Sequence, residues 1–161
     1  MDDKIETYQV LIDSTLTKYD VVKLGEEIDM LLKSLYQLEI DKFEQNLKAE
    51  VRVGVATEIR KLLQGNIDQN KGEIKAILTS GYRVVCSLPV LKLVLAFEPS
   101  EQVIVDISHW ARLNLERGII IDLSIDRSIS GGAVIIYRGK FYDFSVRKKL
   151  EVLFEKGEFI L

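Results

Sequence analysis

One cysteine, one histidine, one tryptophan and two prolines occur in a chain of 161 residues, and each scarcity removes a class of explanation. Cys86 alone cannot close an internal disulfide, which suits a reducing compartment. With no flanking base, it reads as a small buried hydrophobe and not a nucleophile. His109 alone cannot supply a two-histidine metal site, and no Cys/His cluster stands in for one. Excess positive charge is missing too. The net charge is −3 and the sequence pI is near 5.3, so nucleic acid is not the obvious partner. The first residues, "MDDKIETYQV", carry acid where a secretory signal carries base. No uncharged apolar run approaches the ~20 residues of a membrane span. "CSLPVLKLVLAF" is short and contains Lys92. A soluble protein of the bacterial cytoplasm is expected.

What is present is pattern. Residues 1–50 carry twelve acidic and six basic side chains, whereas residues 99–161 carry nine of each, which suggests two modules with different surfaces. The front half has helical periodicity. In "TKYDVVKLGEEIDMLLKSLYQLEID" the apolar residues Val21, Leu24, Ile28, Leu31, Leu32, Leu35 and Leu38 recur every 3.6 positions. Thr17 or Asp20 is placed to cap that helix. Gly25 inside it costs about 1 kcal/mol against alanine, which suggests close contact with another helix. A shorter helix over 4–16 precedes it. A third spans 49–63, a polar break "QGNIDQNKGE" follows, and a fourth spans 72–82. Residues 1–85 are expected to form a small helical bundle.

The back half changes period. "VLKLVLAF" alternates, with Leu91, Leu93, Leu95 and Phe97 on one face. Pro99-Ser100 opens a helix with Val103, Ile107, Trp110, Ala111 and Asn114 inward, and Gly118 stops it. "IIIDLSID" turns Ile119, Ile121, Leu123 and Ile125 inward and Asp122, Ser124 and Asp126 outward. "AVIIYRGKFYDF" reads as a hairpin turning at Arg138-Gly139-Lys140. A last helix over 145–156 sets Val146, Leu150, Leu153 and Phe154 on one side. The expected fold is α+β: a helical bundle, then a small βαββα domain over 88–161 with helices on one face of its sheet.

Reactive constellations are scarce. Gly131-Gly132 leads into the strand-like Val134, Ile135 and Ile136. A phosphate loop needs a helix N-terminus there, so the pair is read as backbone passing close to a neighbour. Asp122, Asp126 and Asp143 could in principle run acid–base chemistry, but two lie on the outward face of a strand and Asp143 is placed to cap the last helix. His109 is read as a solvated helix residue. No catalytic, cofactor-binding or metal residue is predicted. "VRKK", Val146 to Lys149, sets positive charge against a helix dipole; it invites a partner explanation beside the commoner reading of an exposed solvated face, and Glu151, Glu155 and Glu158 would blunt any nucleic-acid field.

Several of these features together resemble a known family. Pro99-Ser100-Glu101, Asp126-Arg127-Ser128-Ile129, Gly131-Gly132 and Asp143-Phe144-Ser145-Val146-Arg147 come in the order and spacing of the delta subunit of bacterial F-type ATP synthases. Its mitochondrial counterpart is the oligomycin-sensitivity-conferring protein. The resemblance covers about residues 90–155. It implies a non-catalytic subunit of the peripheral stalk, or stator, of the proton-translocating complex. The N-terminal bundle would hold N-terminal helices of the alpha subunits, and the C-terminal part would hold C-terminal helices of the b subunits. No cofactor is implied, and the membrane is reached only through the complex, on its inner face. Two departures stand out: Phe144 occupies a position where the family has glycine, and about four helical segments precede residue 90 where the family has six. With a bulky side chain, ordinary dihedrals are expected at Phe144, together with packing onto a neighbour. Partner anchors on this reading are Leu24, Ile28 and Leu31 in front and Val146, Leu150, Leu153 and Phe154 behind. The alternative is a small nucleic-acid-binding module using Tyr137, Phe141 and Tyr142. An enzyme would need one of the aspartates.

Overall fold

The computed structural model describes residues 7–36, 41–63 and 71–156. It divides into two units, Met1–Leu88 and Pro89–Leu161. Together they are mixed α and β, with helices in the first and a four-stranded sheet with helices in the second.

The described helices of the first unit are α1 (Gln9–Asp13), α2 (Lys18–Leu35), α3 (Asp41–Ala49), α4 (Val53–Leu63) and α5 (Lys71–Cys86). The 3.6-residue stripe makes α2 the spine: Leu24, Ile28, Leu31 and Leu35 are buried along it. Both candidate caps act at its start. Thr17 Oγ1 accepts from the Asp20 amide at 3.2 Å, and the Asp20 carboxylate accepts from the Thr17 amide at 2.9 Å, a reciprocal capping box. Gly25 meets Tyr82 of α5, as close helix contact requires; a Cβ there would fall 2.7 Å from the Tyr82 hydroxyl.

Helix α3 is a finding beyond the periodicity. Among its described residues only Phe43 and Leu47, four positions apart among polar residues, are buried, which is too sparse a stripe to stand out. The helix expected over 49–63 therefore begins at Val53, separated from α3 by a short link through Arg52. Cys86 is exposed, contrary to its reading as buried. It sits one residue past Val85, the last member of the buried α5 stripe Ile74, Leu78, Gly81 and Val85, so its side chain turns outward. There it bonds the Tyr82 hydroxyl and pushes the tyrosine's pKa up.

The second unit runs β1 (Val90–Leu95), α6 (Glu101–Asn114), β2 (Ile120–Ile125), a 3₁₀ turn (Arg127–Ile129), β3 (Ala133–Tyr137), β4 (Lys140–Asp143) and α7 (Val146–Lys156). The hairpin contributes two strands, so four strands stand where the βαββα notation counts three. Their order is β2-β1-β3-β4. β1 and β2 are parallel and joined through α6, while β1–β3 and β3–β4 are antiparallel. Leu91, Leu93, Leu95, Ile119 and Ile121 pack with Ala111 and Ile107 of α6 on one sheet face.

The register of α6 differs from the sequence reading. Val103 and Trp110 are exposed, as is Asn114, and the covered face is Ile104, Ile107, Ser108 and Ala111. That stripe has perfect helical spacing but contains a serine, which a reading by hydrophobicity skips. Phe97 lies beyond the end of β1, and Ile125 closes β2; both are exposed. The Ser108 hydroxyl is buried without a hydrogen-bond partner among the described residues. An orphaned buried hydroxyl costs about 1–3 kcal/mol. Replacing Ser108 by alanine is therefore expected to stabilise this unit by about 1 kcal/mol, read as a raised urea midpoint with an unchanged slope. A lowered midpoint would show that the hydroxyl is satisfied in solution.

Candidate functional site

Side chains alternate across a strand, so the sheet face opposite α6 is set by the remaining residues. Lys92 pairs with Ile136, Val94 with Val134, Ile136 with Phe141 and Val134 with Asp143 across the strands. This face floors an open groove of about 720 Å³ whose other bank is α7, through Arg147, Lys148 and Glu151. The last helix thus borders the sheet face opposite α6, whereas the sequence pattern predicts both helices on one face.

The start of α7 is fixed by a tight backbone junction. Gly131 and Gly132 have φ of 126° and 80° and lie against residues 144–146. The Phe144 amide donates to the Ala133 carbonyl at 2.8 Å and the Val146 amide to the Gly131 carbonyl at 2.9 Å. Close approach is what the glycine pair provides, as its sequence context implied. Phe144 keeps negative φ, in line with expectation. It stacks on Tyr142, ring centroids 6.4 Å apart, while staying half exposed.

Two Asp-x-Ser turns flank the junction. Asp126 accepts from the Ser128 amide and Asp143 from the Ser145 amide, both at 2.9 Å. The cap of α7 is Ser145, whose hydroxyl accepts from the Lys148 amide at 3.1 Å; Asp143 supports that cap from two residues earlier and does not itself cap the helix. The Ser128 hydroxyl and amide hold the Asp126 carboxyl below its usual range, with help from the Arg147 charge. The Ser145 hydroxyl and amide do the same for Asp143, aided by Lys148 and Arg147. Asp126 and Asp143 both line the groove, whereas Asp122 does not. These are carboxylates occupied in holding turns. Among the described residues no group of three or more His, Cys, Asp or Glu side chains could hold a metal ion. His109 is exposed on α6.

The hairpin turn Arg138-Gly139 has φ of 49° and 74°, both left-handed, as a two-residue turn of this kind needs. Glu116 pins it: the Tyr137 hydroxyl donates to Glu116 Oε2 at 2.6 Å and Arg138 pairs with the same oxygen. That hydrogen bond, with the Arg138 charge, lowers the Glu116 pKa. Burial, then Glu116, raises that of Tyr137. Tyr137 and Tyr142 therefore belong to the α6 side of the sheet and Phe141 to the groove side. Aromatics split between two faces do not make the stacking platform that a sheet-based RNA binder uses.

The anchors named from sequence have different fates. Leu24, Ile28 and Leu31 are core residues of the first unit. Val146, Leu150 and Leu153 remain 40%, 46% and 46% exposed on α7. The Phe154 side chain and residues 157–161 lie outside the described residues, as do residues 1–6 and 64–70 and the Leu38 position. Sequence reading misses the exposed ridge of Val103, Trp110 and Leu113 on α6, because hydrophobic spacing counts two of these as core. No helix among the described residues is long and apolar enough to cross a membrane. The chain matches no protein-family model, and no curated protein matches it.

Proposed function

We propose that this chain is a non-catalytic adaptor of the peripheral stalk of a bacterial F-type ATP synthase, similar in role to the delta subunit. The helical unit docks on N-terminal helices of the alpha subunits, and the second unit holds C-terminal helices of the b subunits. The joint keeps the catalytic head from turning with the rotor, transforms no substrate and needs no cofactor. It meets the inner face of the membrane only through the complex.

The observation that carries this reading is the stripe Val146, Leu150 and Leu153. Three large apolar side chains stand half in water at i, i+4 and i+7, on a helix whose start is locked to the sheet by the Gly131-Gly132 junction. Full burial of each is worth about 1.5–3 kcal/mol, so a partner helix gains roughly half of that per residue. A stripe on a rigid mount is what helix-to-helix adhesion needs. In the first unit Leu24, Ile28 and Leu31 hold the unit together, so helices of the alpha subunits would meet exposed apolar residues such as Tyr19, Val22 and Tyr36. Supporting the assignment to this complex is the family-like order of Asp126-x-Ser128, Gly131-Gly132 and Asp143-x-Ser145.

The test is retention, by the full chain, of C-terminal helices from the b subunits and of N-terminal peptides from the alpha subunits. Both are expected to bind, and Leu150→Asp together with Leu153→Asp is expected to weaken the b interaction at least tenfold, about 1.4 kcal/mol. Alpha binding should be unchanged. A chain that retains neither partner, but retains RNA at low salt, has another function.

A further inference from the structure

The first turn of α7 holds Arg147, Lys148 and Lys149, where the helix dipole disfavours cations. Two of the three have local compensation. Arg147 Nε bonds Glu151 Oε1 at 3.1 Å, and Lys148 Nζ lies 3.6 Å from Glu151 Oε2. Asp126 and Asp143 lie in the same field. Lys149 makes no ion pair among the described residues.

Helical geometry places these charges. At about 100° per residue, Val146, Leu150 and Leu153 form one stripe, Lys149 and Arg147 border it on either side, and Glu151 and Glu155 fall on the far side. The apolar seam is thus banked by positive charge. It is about 10 Å long at ~1.5 Å per residue, the length of two helical turns. An i, i+4, i+7 seam fits side chains of another helix between its own, which an extended strand does not match.

We infer that the occupant of this stripe is an amphipathic helix whose apolar seam is bordered by carboxylates, with one acidic side chain opposite Lys149. That the helix comes from the b subunits rests on the stalk reading; the surface and its charge preference rest on α7. The placement explains why a helix start carries three cations against its own dipole: the third is held for a partner. A basic amphipathic helix also suits an anionic lipid surface, but here Glu151 and Glu155 occupy the far side and the seam is short, which favours a helix.

Two synthetic helical peptides test this, identical in their leucine seam and bordered by glutamate in one and lysine in the other. Titrated against the full chain at low salt, the glutamate peptide is expected to bind at least tenfold tighter, and the ratio is expected to collapse at high salt. Arg147→Glu combined with Lys149→Glu should invert the preference. Leu150→Asp should weaken both peptides while leaving far-UV circular dichroism unchanged. Equal affinity for the two peptides, binding of neither, or preferential capture by phosphatidylglycerol-containing vesicles overturns the inference. Should helices of the b subunits bind yet ignore Lys149→Glu and Leu150→Asp, the stripe is not their seat and the stalk reading survives. Binding of the glutamate peptide, with no binding of b helices, leaves the surface and removes the stalk.

Discussion

Replacing Gly132 by alanine is expected to destabilise the sheet unit by on the order of 4 kcal/mol, a large share of a domain's usual 5–15 kcal/mol. Two costs add. At φ of 80° a Cβ meets its own backbone, which costs roughly 1–2 kcal/mol. The added carbon would also fall 2.3 Å from the Phe144 carbonyl oxygen and 3.0 Å from the Ser145 Cα. Both neighbours are main chain and cannot swing aside. Residues 144–145 must retreat, which stretches the bonds from Phe144 to Ala133 and from Val146 to Gly131 and loosens the mount of α7. Gly139 is the control: its φ is 74°, but no atom of the described residues lies within 4 Å of its missing Cβ. Gly139→Ala should therefore show the conformational cost alone, about 1–2 kcal/mol. The single tryptophan, Trp110, lies in this unit on α6 and reports its unfolding by fluorescence. If both variants lower the urea midpoint equally, the close junction does not exist in solution. If a partner helix docks on α7 as proposed, the Gly132 variant should also lose affinity for it, because the stripe on α7 is aimed by that junction.

That junction is legible because its signal is local. Two adjacent glycines ahead of an apolar strand leave few readings: no helix follows to make an anion cradle, so a close backbone approach remains. The stripe of α2, its Thr17 cap and the Arg138-Gly139 turn are legible for the same reason, since each is written within a few residues. The misses all need knowledge of what lies opposite. Ser108 sits at the centre of the covered face of α6, and only the facing strands reveal that a serine belongs there. Phe43 and Leu47 are too few to announce α3, yet both are buried once α2 and α4 are in place. The α7 stripe is visible as a pattern, but periodicity does not say whether a stripe faces a core or a partner. The same rule that identifies Val146, Leu150 and Leu153 also identifies Leu24, Ile28 and Leu31. Exposure alone separates them: the first set stands in water and the second is sealed. Least legible of all is Arg52, which no motif marks.

Arg52→Met is expected to destabilise the helical unit by about 3 kcal/mol, the scale on which a buried ion pair fails when one member is removed. Arg52 lies between α3 and α4 and reaches three other parts of the unit. Its Nε and Nη2 bond the two oxygens of Glu27 at 2.9 and 3.0 Å, and its own amide donates to Glu27 at 3.1 Å. The guanidinium also donates to the carbonyls of Ser14 and Asp20, both at 3.3 Å, and lies 3.5 Å from the Asp20 carboxylate. Glu27 is buried on α2, so the methionine variant strands a carboxylate without its cation, and the amide of residue 52 does not replace that charge. The expected readout is a lower far-UV circular dichroism midpoint for the helical signal. Glu27→Gln should cost less than Arg52→Met, because a neutral amide still accepts from the residue 52 amide and the Arg52 guanidinium keeps the Asp20 carboxylate, 3.5 Å away, as its counter-charge. Combining Arg52→Met with Glu27→Leu should recover much of the loss, since an apolar pair of similar volume often matches a buried ion pair in stability. A double variant as unstable as the sum of its parts would mean that the Ser14 and Asp20 carbonyls, and not the pairing with Glu27, are what Arg52 holds. Either outcome identifies what clamps the link between α3 and α4 to the start of α2.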